Sequence, residues 1–479
     1  MHLIIPERHI NMPKKYHITT RTTPLDVDYV FKFKIVRGEN CINCGKCTKV
    51  CIYEAHKRRK DDPRKMADPN TVVCRNCFRC IQECPRGALE KSLDNDYSNI
   101  GGAFWKPDNL LSLWKQAEDG SVPVSGAGYR GPFTGTGFDS MWTDMSEIVR
   151  PTRDGIHGRE YINTGVELGR KLNHLAFDAE GKLTSKVPAT VDIPIPILFD
   201  IPIINLSPNV KEALIKAAIE INTLILMPVV EIMPGFEKYN NNIIPCAKPE
   251  EIDRYIDILK KARLIAVECS DGSVDDFSDL LQKIKRINQV PAIIRVPAVI
   301  NVENIVAAMA GYGAEIIQIV ADYRGQEITG TNSGNGRLLK DIIRAVHLKL
   351  VEDRIRDEIT IVTSGGIAMA EHVPKAMLCG ADLTAIDLPL LVALGVRIYE
   401  EPEKLLVFPE GLEKIPSSIL TQRMVNLMGA WHSQMLEMMG AMGIREARRL
   451  RGESGRAIFF EDIDKDTFGK LFRKQEEVR

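Results

Sequence analysis

Eight of the chain's eleven cysteines fall between residues 41 and 84. They form the spacing C-x2-C-x2-C-x3-C twice: Cys41, Cys44, Cys47 and Cys51, then Cys74, Cys77, Cys80 and Cys84 ahead of Pro85. That run ligates two [4Fe–4S] clusters, and the fourth cysteine of each run serves the other cluster. The expected ligand sets are therefore Cys41, Cys44, Cys47 and Cys84 for one cluster, and Cys74, Cys77, Cys80 and Cys51 for the other. Four-cysteine zinc sites are usually built from two CxxC pairs. A disulfide scaffold would need an oxidising compartment. Neither alternative explains the spacing as well. The first run continues Cys51-Ile52-Tyr53 where a proline is usual, so a different local turn is expected there. Cys246, Cys269 and Cys379 stand alone in apolar segments and read as buried thiols packed as small hydrophobes.

A second group of polar residues follows short apolar runs further along. It comprises Asn205 and Ser207, Glu231, Ser270 and Asp271, Arg295, Asp322, Ser364-Gly365-Gly366 and Asp387. The Ser-Gly-Gly turn precedes a helical stretch, so its backbone N–H groups and the helix N-terminus suit a phosphate. Arg295 suits the pyrimidine edge of a flavin, where it would stabilise the anionic reduced ring. Its purely structural reading is a buried arginine paired with Asp322 or Glu268.

These residues need a scaffold, and the pattern from 191 to about 400 supplies one. Runs rich in Ile and Val occur at 201–206, 224–230, 264–269, 292–296, 315–320, 359–364 and 383–388. An eighth is expected at 191–199 or 242–246. Amphipathic stretches such as NVKEALIKAAIEI alternate with them. Continuously apolar strands alternating with helices imply a parallel sheet, and seven or eight such units fit an α/β (β/α)8 TIM-like barrel. An open doubly wound sheet is the alternative.

Residues 95–190 are rich in Gly, Pro, Trp and Asp with little periodicity. Gly126-Ala127-Gly128-Tyr129-Arg130-Gly131 spells G-x-G-x-x-G but lacks the strand and helix that a dinucleotide site requires. Arg150, Arg153 and His157 form either a solvated loop or a phosphate or cofactor edge. After the barrel, methionines recur near helical spacing from Met424 to Met442, read as core packing, and His432 reads as structural. The expected organisation is an extension to 35, a small bacterial-ferredoxin-like two-cluster domain at 36–94, an irregular linker packing on the barrel at 95–190, the barrel at 191–405 and a helical C-terminal region at 406–479.

Lys plus Arg is 63 and Asp plus Glu is 64 among 479 residues, a balance that argues against a nucleic-acid partner. No stretch reaches 18 apolar residues, so no membrane span is expected, and the N-terminus has no signal-peptide pattern. A cytoplasmic location follows.

The succession SGG-I-x5-V-x-KA-x3-GAD at 364–382, with the tail LMGAWHSQMLEMMGAMGIREARRLRGE, resembles the FMN-binding domain of glutamate synthases. The resemblance holds especially for archaeal-type and glutamate-synthase-related proteins that carry an N-terminal two-cluster ferredoxin module, and it spans about residues 35 to 470. It implies FMN in the barrel, fed with electrons through the clusters, in an oxidoreductase acting on CH–NH2 donors. It places Asn205 and Ser207 near the flavin ring, Arg295 near N1, and Ser364, Gly365 and Gly366 at the phosphate, with Gly380 also among the cofactor-binding positions. It implies a low-potential electron donor or redox partner subunits, a small-molecule substrate and an oligomer or hetero-complex. The chain departs from the family at ADYRGQEITGT (Ala321 to Thr331), at Asp387 near the expected phosphate, and in lacking a cysteine triplet after the barrel and a cysteine glutaminase segment. A degenerate site that only relays electrons within a larger complex is the alternative function.

Overall fold

The computed structural model describes residues 16–23, 30–71, 73–122, 135–145, 162–185, 187–202, 204–269, 277–328, 336–400 and 405–476, with the backbone of 124–125 and 128–129. Ser270, Asp271, Arg150, Arg153 and His157, and most of the G-x-G-x-x-G segment, lie outside the described residues.

Eight parallel strands close into a barrel. In order they are Ile197–Asp200, Ile225–Pro228, Ile243–Ala247, Ile265–Glu268, Ala292–Pro297, Ile316–Val320, Thr360–Ser364 and Leu383–Ile386. The eighth returns to the first through the register Ala385↔Leu198. This differs from the sequence expectation at one end. The run at 201–206 is not a strand, whereas the C-terminal half of 191–199 and the run at 242–246 both are. Ile201 still donates to Leu226 O at 3.1 Å, but Pro202 has no N–H to continue the ladder, so the chain leaves the sheet there.

Helices Pro208–Glu220, Phe277–Ile287, Val302–Gly311, Leu339–Glu352, His372–Cys379 and Leu388–Ala393 alternate with these strands. The 25-residue helix Ser417–Ala441 packs on Pro208–Glu220 and on Pro107–Asp119. Its methionines Met424, Met428, Met435, Met438 and Met439 are buried, and Met442 is buried just beyond it. His432 sits in that core, 3.2 Å from Thr164 Oγ1 and edge-on to Tyr16.

The cysteine-rich segment has a small core of its own, formed by Ile35, Cys47, Met66, Cys80 and Leu89. One antiparallel pair, Phe33–Arg37 with Leu89–Leu93, brackets it. No helix among the described residues is long and apolar enough to cross a membrane.

Candidate cluster cavities and barrel mouth

The two cysteine runs fold alike. Asn43 and Asn76 take left-handed φ of 57° and 53°, and the residues after the second cysteines, Gly45 and Phe78, take 73° and 59°. These turns curl each loop inward ahead of a short helix, Lys46–Val50 in one run and Arg79–Gln82 in the other. Four residues past each last cysteine the backbone bonds back to its sulfur. Ala55 N donates to Cys51 Sγ at 3.4 Å and Ala88 N to Cys84 Sγ at 3.2 Å. The absence of a proline after Cys51 therefore does not change the turn, contrary to the sequence expectation. Glu54 at φ 55° does there what Gly87 at 57° does in the second run.

Between the loops lie two cavities. Cys41, Cys44, Cys47 and Cys84 line the first. Cys51, Cys74, Cys77 and Cys80 line the second. Each cavity thus draws three cysteines from one run and one from the other. Arg37 borders the first, its Nη1 donating to Cys41 Sγ at 3.3 Å and its Nη2 to Ala67 O at 3.1 Å. Buried His56 borders the second, and burial with the neighbouring Arg37 lowers its pKa below the ordinary histidine value.

At the C-terminal end of the barrel, side chains from opposite strands meet in the bore. Arg295, on the fifth strand, grips Asp200 on the first through two bonds of 3.1 and 2.9 Å. Gln318 Nε2 on the sixth strand donates to Asp200 Oδ2 and to Ser364 Oγ, both at 3.0 Å. The partner of Arg295 is thus Asp200, not Asp322 or Glu268. Burial opposes the guanidinium charge, but Asp200, Cys246 and Glu268 more than offset it and keep the pKa above the usual arginine value. Arg295 Nε and Gln318 Oε1 remain buried with no hydrogen-bond partner, one donor and one acceptor. Asp387 caps helix Leu388–Ala393 by accepting from Leu388 N at 2.6 Å, and burial pushes its pKa up to about 6.

The remaining expected residues divide. Asn205 is exposed in the loop after the first strand. Ser207 caps helix Pro208–Glu220 by accepting from Val210 N. Gly365 and Gly366, at φ 88° and 64°, admit the loop after the sixth strand. A Cβ at Gly365 would lie 2.3 Å from Ala321 O, and one at Gly366 would lie 2.3 Å from Gly325 N. Gly380 requires a correction. It ends helix His372–Cys379 and precedes the eighth strand, so it lies at the opposite end of the barrel from the turn at 364–366. There its carbonyl accepts from Arg356 at 2.7 Å, and a Cβ would meet His347 at 2.4 Å.

The motifs gave no sign of a clasp over the mouth. The Glu400 carboxylate accepts from the backbone N–H groups of Ala103, Phe104 and Trp105 at 3.0, 2.7 and 3.0 Å. Trp105 Nε1 then donates to Tyr323 O at 2.9 Å, in the loop that packs on Gly366. The available signal was Gly101-Gly102, since a Cβ at Gly102 would lie 2.2 Å from Glu400 Cδ. Nearby, Asp139, Glu371 and His372 are buried within ligand distance of one another. His372 Nδ1 accepts from Ala368 N at 3.1 Å, which leaves Nε2 protonated and donating to Asp139 at 3.0 Å. Neither ring nitrogen has a lone pair left for a cation.

Residues 270–445 match the model of the conserved region in glutamate synthase. Over that region the chain is similar to the glutamate synthases. An archaeal-type glutamate synthase [NADPH] of Dehalococcoides mccartyi is 25% identical over 88% of this chain and 94% of its own length. An archaeal glutamate synthase [NADPH] of Archaeoglobus fulgidus is 26% identical over 90% of this chain and 95% of its own. A third similarity is local. An uncharacterized ferredoxin of Methanocaldococcus jannaschii is 36% identical over 55 residues, 12% of this chain and 71% of that protein. A closed barrel and a ferredoxin-like, cysteine-rich region are thus part of one chain.

Proposed function

We propose that the chain is an iron–sulfur flavoprotein oxidoreductase of glutamate-synthase type, passing electrons through two [4Fe–4S] clusters to FMN in the barrel. The observation that carries this reading is the pair of cavities, each lined by four cysteines. Four soft sulfurs select iron–sulfur clusters or zinc, and the ferredoxin similarity favours the clusters. Cys41, Cys44, Cys47 and Cys84 hold the first cluster; Cys51, Cys74, Cys77 and Cys80 hold the second.

Two unpartnered side-chain groups in the bore support a flavin ring edge there. The orphaned Arg295 Nε–H and Gln318 Oε1 are the donor and acceptor that a pyrimidine edge would pair with. Ser364, Gly365 and Gly366 are the phosphate contacts, and Asn205 lies on the ring side. FMN bound there would accept single electrons and return a hydride. Asp200 orients Arg295 and preserves its positive charge in a dry bore, where that charge is worth more than in water. The substrate is a small oxo or amino acid, and a low-potential one-electron donor or partner subunit supplies the clusters. Eight free cysteines at cluster spacing suit the reducing cytoplasm.

Anaerobically purified protein should hold about eight irons, about eight acid-labile sulfides and about one FMN. Zinc without sulfide would remove the cluster reading, and an absent flavin would remove the barrel chemistry.

A second reading, an electron-relay subunit, draws on the Asp200–Arg295 grip and on the carboxylate of Asp387 at a helix N-terminus, where it would repel a phosphate. A reduced donor, 2-oxoglutarate and ammonia separate the two readings. Glutamate formation supports the synthase; flavin reduction without product supports the relay.

A further inference from the structure

The two cysteine runs repeat each other so closely that their differences stand out. Four residues before Cys41 the chain carries Arg37; four residues before Cys74 it carries the uncharged Asn70. Arg37 lines the first cavity and donates from Nη1 to Cys41 Sγ at 3.3 Å, with Cys47 Sγ at 4.0 Å. Its other terminal nitrogen is tied to Ala67 O at 3.1 Å, so the guanidinium plane is held in place. Five residues past the last cysteine the order of polarity reverses. The second cavity is bordered there by His56, and the first by Leu89.

The buried Nδ1 of His56 has no hydrogen-bond partner, so it makes no bond to a cysteine sulfur of that cavity. The other basic residues at the rims, Lys46 and Arg86 on the first cavity and Arg75 and Arg79 on the second, are exposed. They balance in number, and water and salt screen them. Among the described residues, Arg37 is the charged donor directed at cluster sulfurs.

Reduction adds one electron to a cluster already made anionic by four thiolates. A fixed cation donating N–H to those sulfurs stabilises the reduced form more than the oxidised form, which raises the potential. We propose that Arg37 makes the cluster on Cys41, Cys44, Cys47 and Cys84 the higher-potential member of the pair, so that a single electron delivered to the module rests there. The inference depends on the two-cluster reading above. The step is one electron from an external reductant to one cluster, with no bond made or broken.

The test uses the full chain with its cofactors, reduced stepwise with dithionite and followed by electron paramagnetic resonance. Iron and sulfide are measured first, because a shortfall there sinks the two-cluster reading and not this one. With both clusters present, two midpoints should separate. Arg37→Met should lower the higher midpoint towards the lower one, and Arg37→Lys should lower it less. Two unmoved midpoints, or a shift only in the lower one, would overturn the proposal. Should Arg37→Met fail to load clusters, the wild type still decides. With arginine labelled by nitrogen-15 only in the guanidinium, the half-reduced protein should show nitrogen-15 coupling to the reduced cluster. Absence of that coupling would also overturn it.

Discussion

Glu54 and Gly87 hold the same left-handed turn, three residues past Cys51 and Cys84, at φ 55° and 57°. The backbone geometry is shared, but the side chains are not. A left-handed non-glycine residue costs roughly 1–2 kcal/mol, partly offset by the lower chain entropy it brings to the unfolded state. Glu54 carries that strain and Gly87 avoids it.

Replacing Gly87 with alanine should therefore destabilise the cysteine-rich segment by about 1 kcal/mol. No heavy atom lies within 4 Å of where the new Cβ would stand, so the loss would come from the backbone alone. Glu54→Gly should be neutral or stabilising by up to about 1 kcal/mol. The urea midpoint of cluster bleaching reads both. A larger loss at Glu54→Gly than at Gly87→Ala would contradict the shared-turn account.

Asp387 makes stability depend on pH. Its folded pKa is raised from 3.8 to about 6 by burial, so the folded chain binds the proton more tightly than the unfolded chain does. Stability from this group is highest below pH 4 and declines as pH rises towards 6. The decline is up to about 3 kcal/mol, taking 1.36 kcal/mol per pKa unit. Asp387→Asn can still cap Leu388 but no longer ionises. Its stability should match or trail the wild type at pH 4 and exceed it at pH 7, as read by thermal melting. Parallel pH profiles for the two proteins would refute this.

The Asp200–Arg295 pair should be costly to break. Asp200→Asn removes the carboxylate that pairs with a buried guanidinium and leaves only the more distant Glu268, a loss of up to roughly 3–5 kcal/mol. Thermal unfolding in the oxidised protein measures it. A change below about 1 kcal/mol would mean that water reaches the bore.

Glutamine should not be a nitrogen source for this chain alone. Hydrolysing it takes an activated nucleophile, usually a cysteine of lowered pKa. Burial pushes the Cys246 thiol up to about 11 and the Cys379 thiol up to about 12, the wrong direction for attack. Cys269 is also buried. Release of ammonia from glutamine, measured with the purified chain, should stay at background. Steady glutaminase turnover would refute the argument.

The cysteine runs were legible because the left-handed turns and the backbone bonds to sulfur lie within a few residues of the cysteines they serve. The barrel was legible from its alternating runs, except at its seam. There Pro202 ends a strand that composition alone would continue, and Ile243–Ala247 is a strand despite its proline. The bore was not legible. Asp200 and Arg295 are 95 positions apart and meet only because the first and fifth strands face each other across a closed barrel. Gly380 shows the opposite error. A continuous motif from 364 to 382 runs down a helix from one end of the barrel to the other, so neighbours in the motif are not neighbours in space.

Cys51 and Cys84 each close the cavity built by the opposite run. During synthesis the first pocket lacks a wall until residue 84 has emerged from the ribosome, and the second until residue 80 has. The two halves are therefore mutual hostages, and neither run alone can complete a four-cysteine pocket.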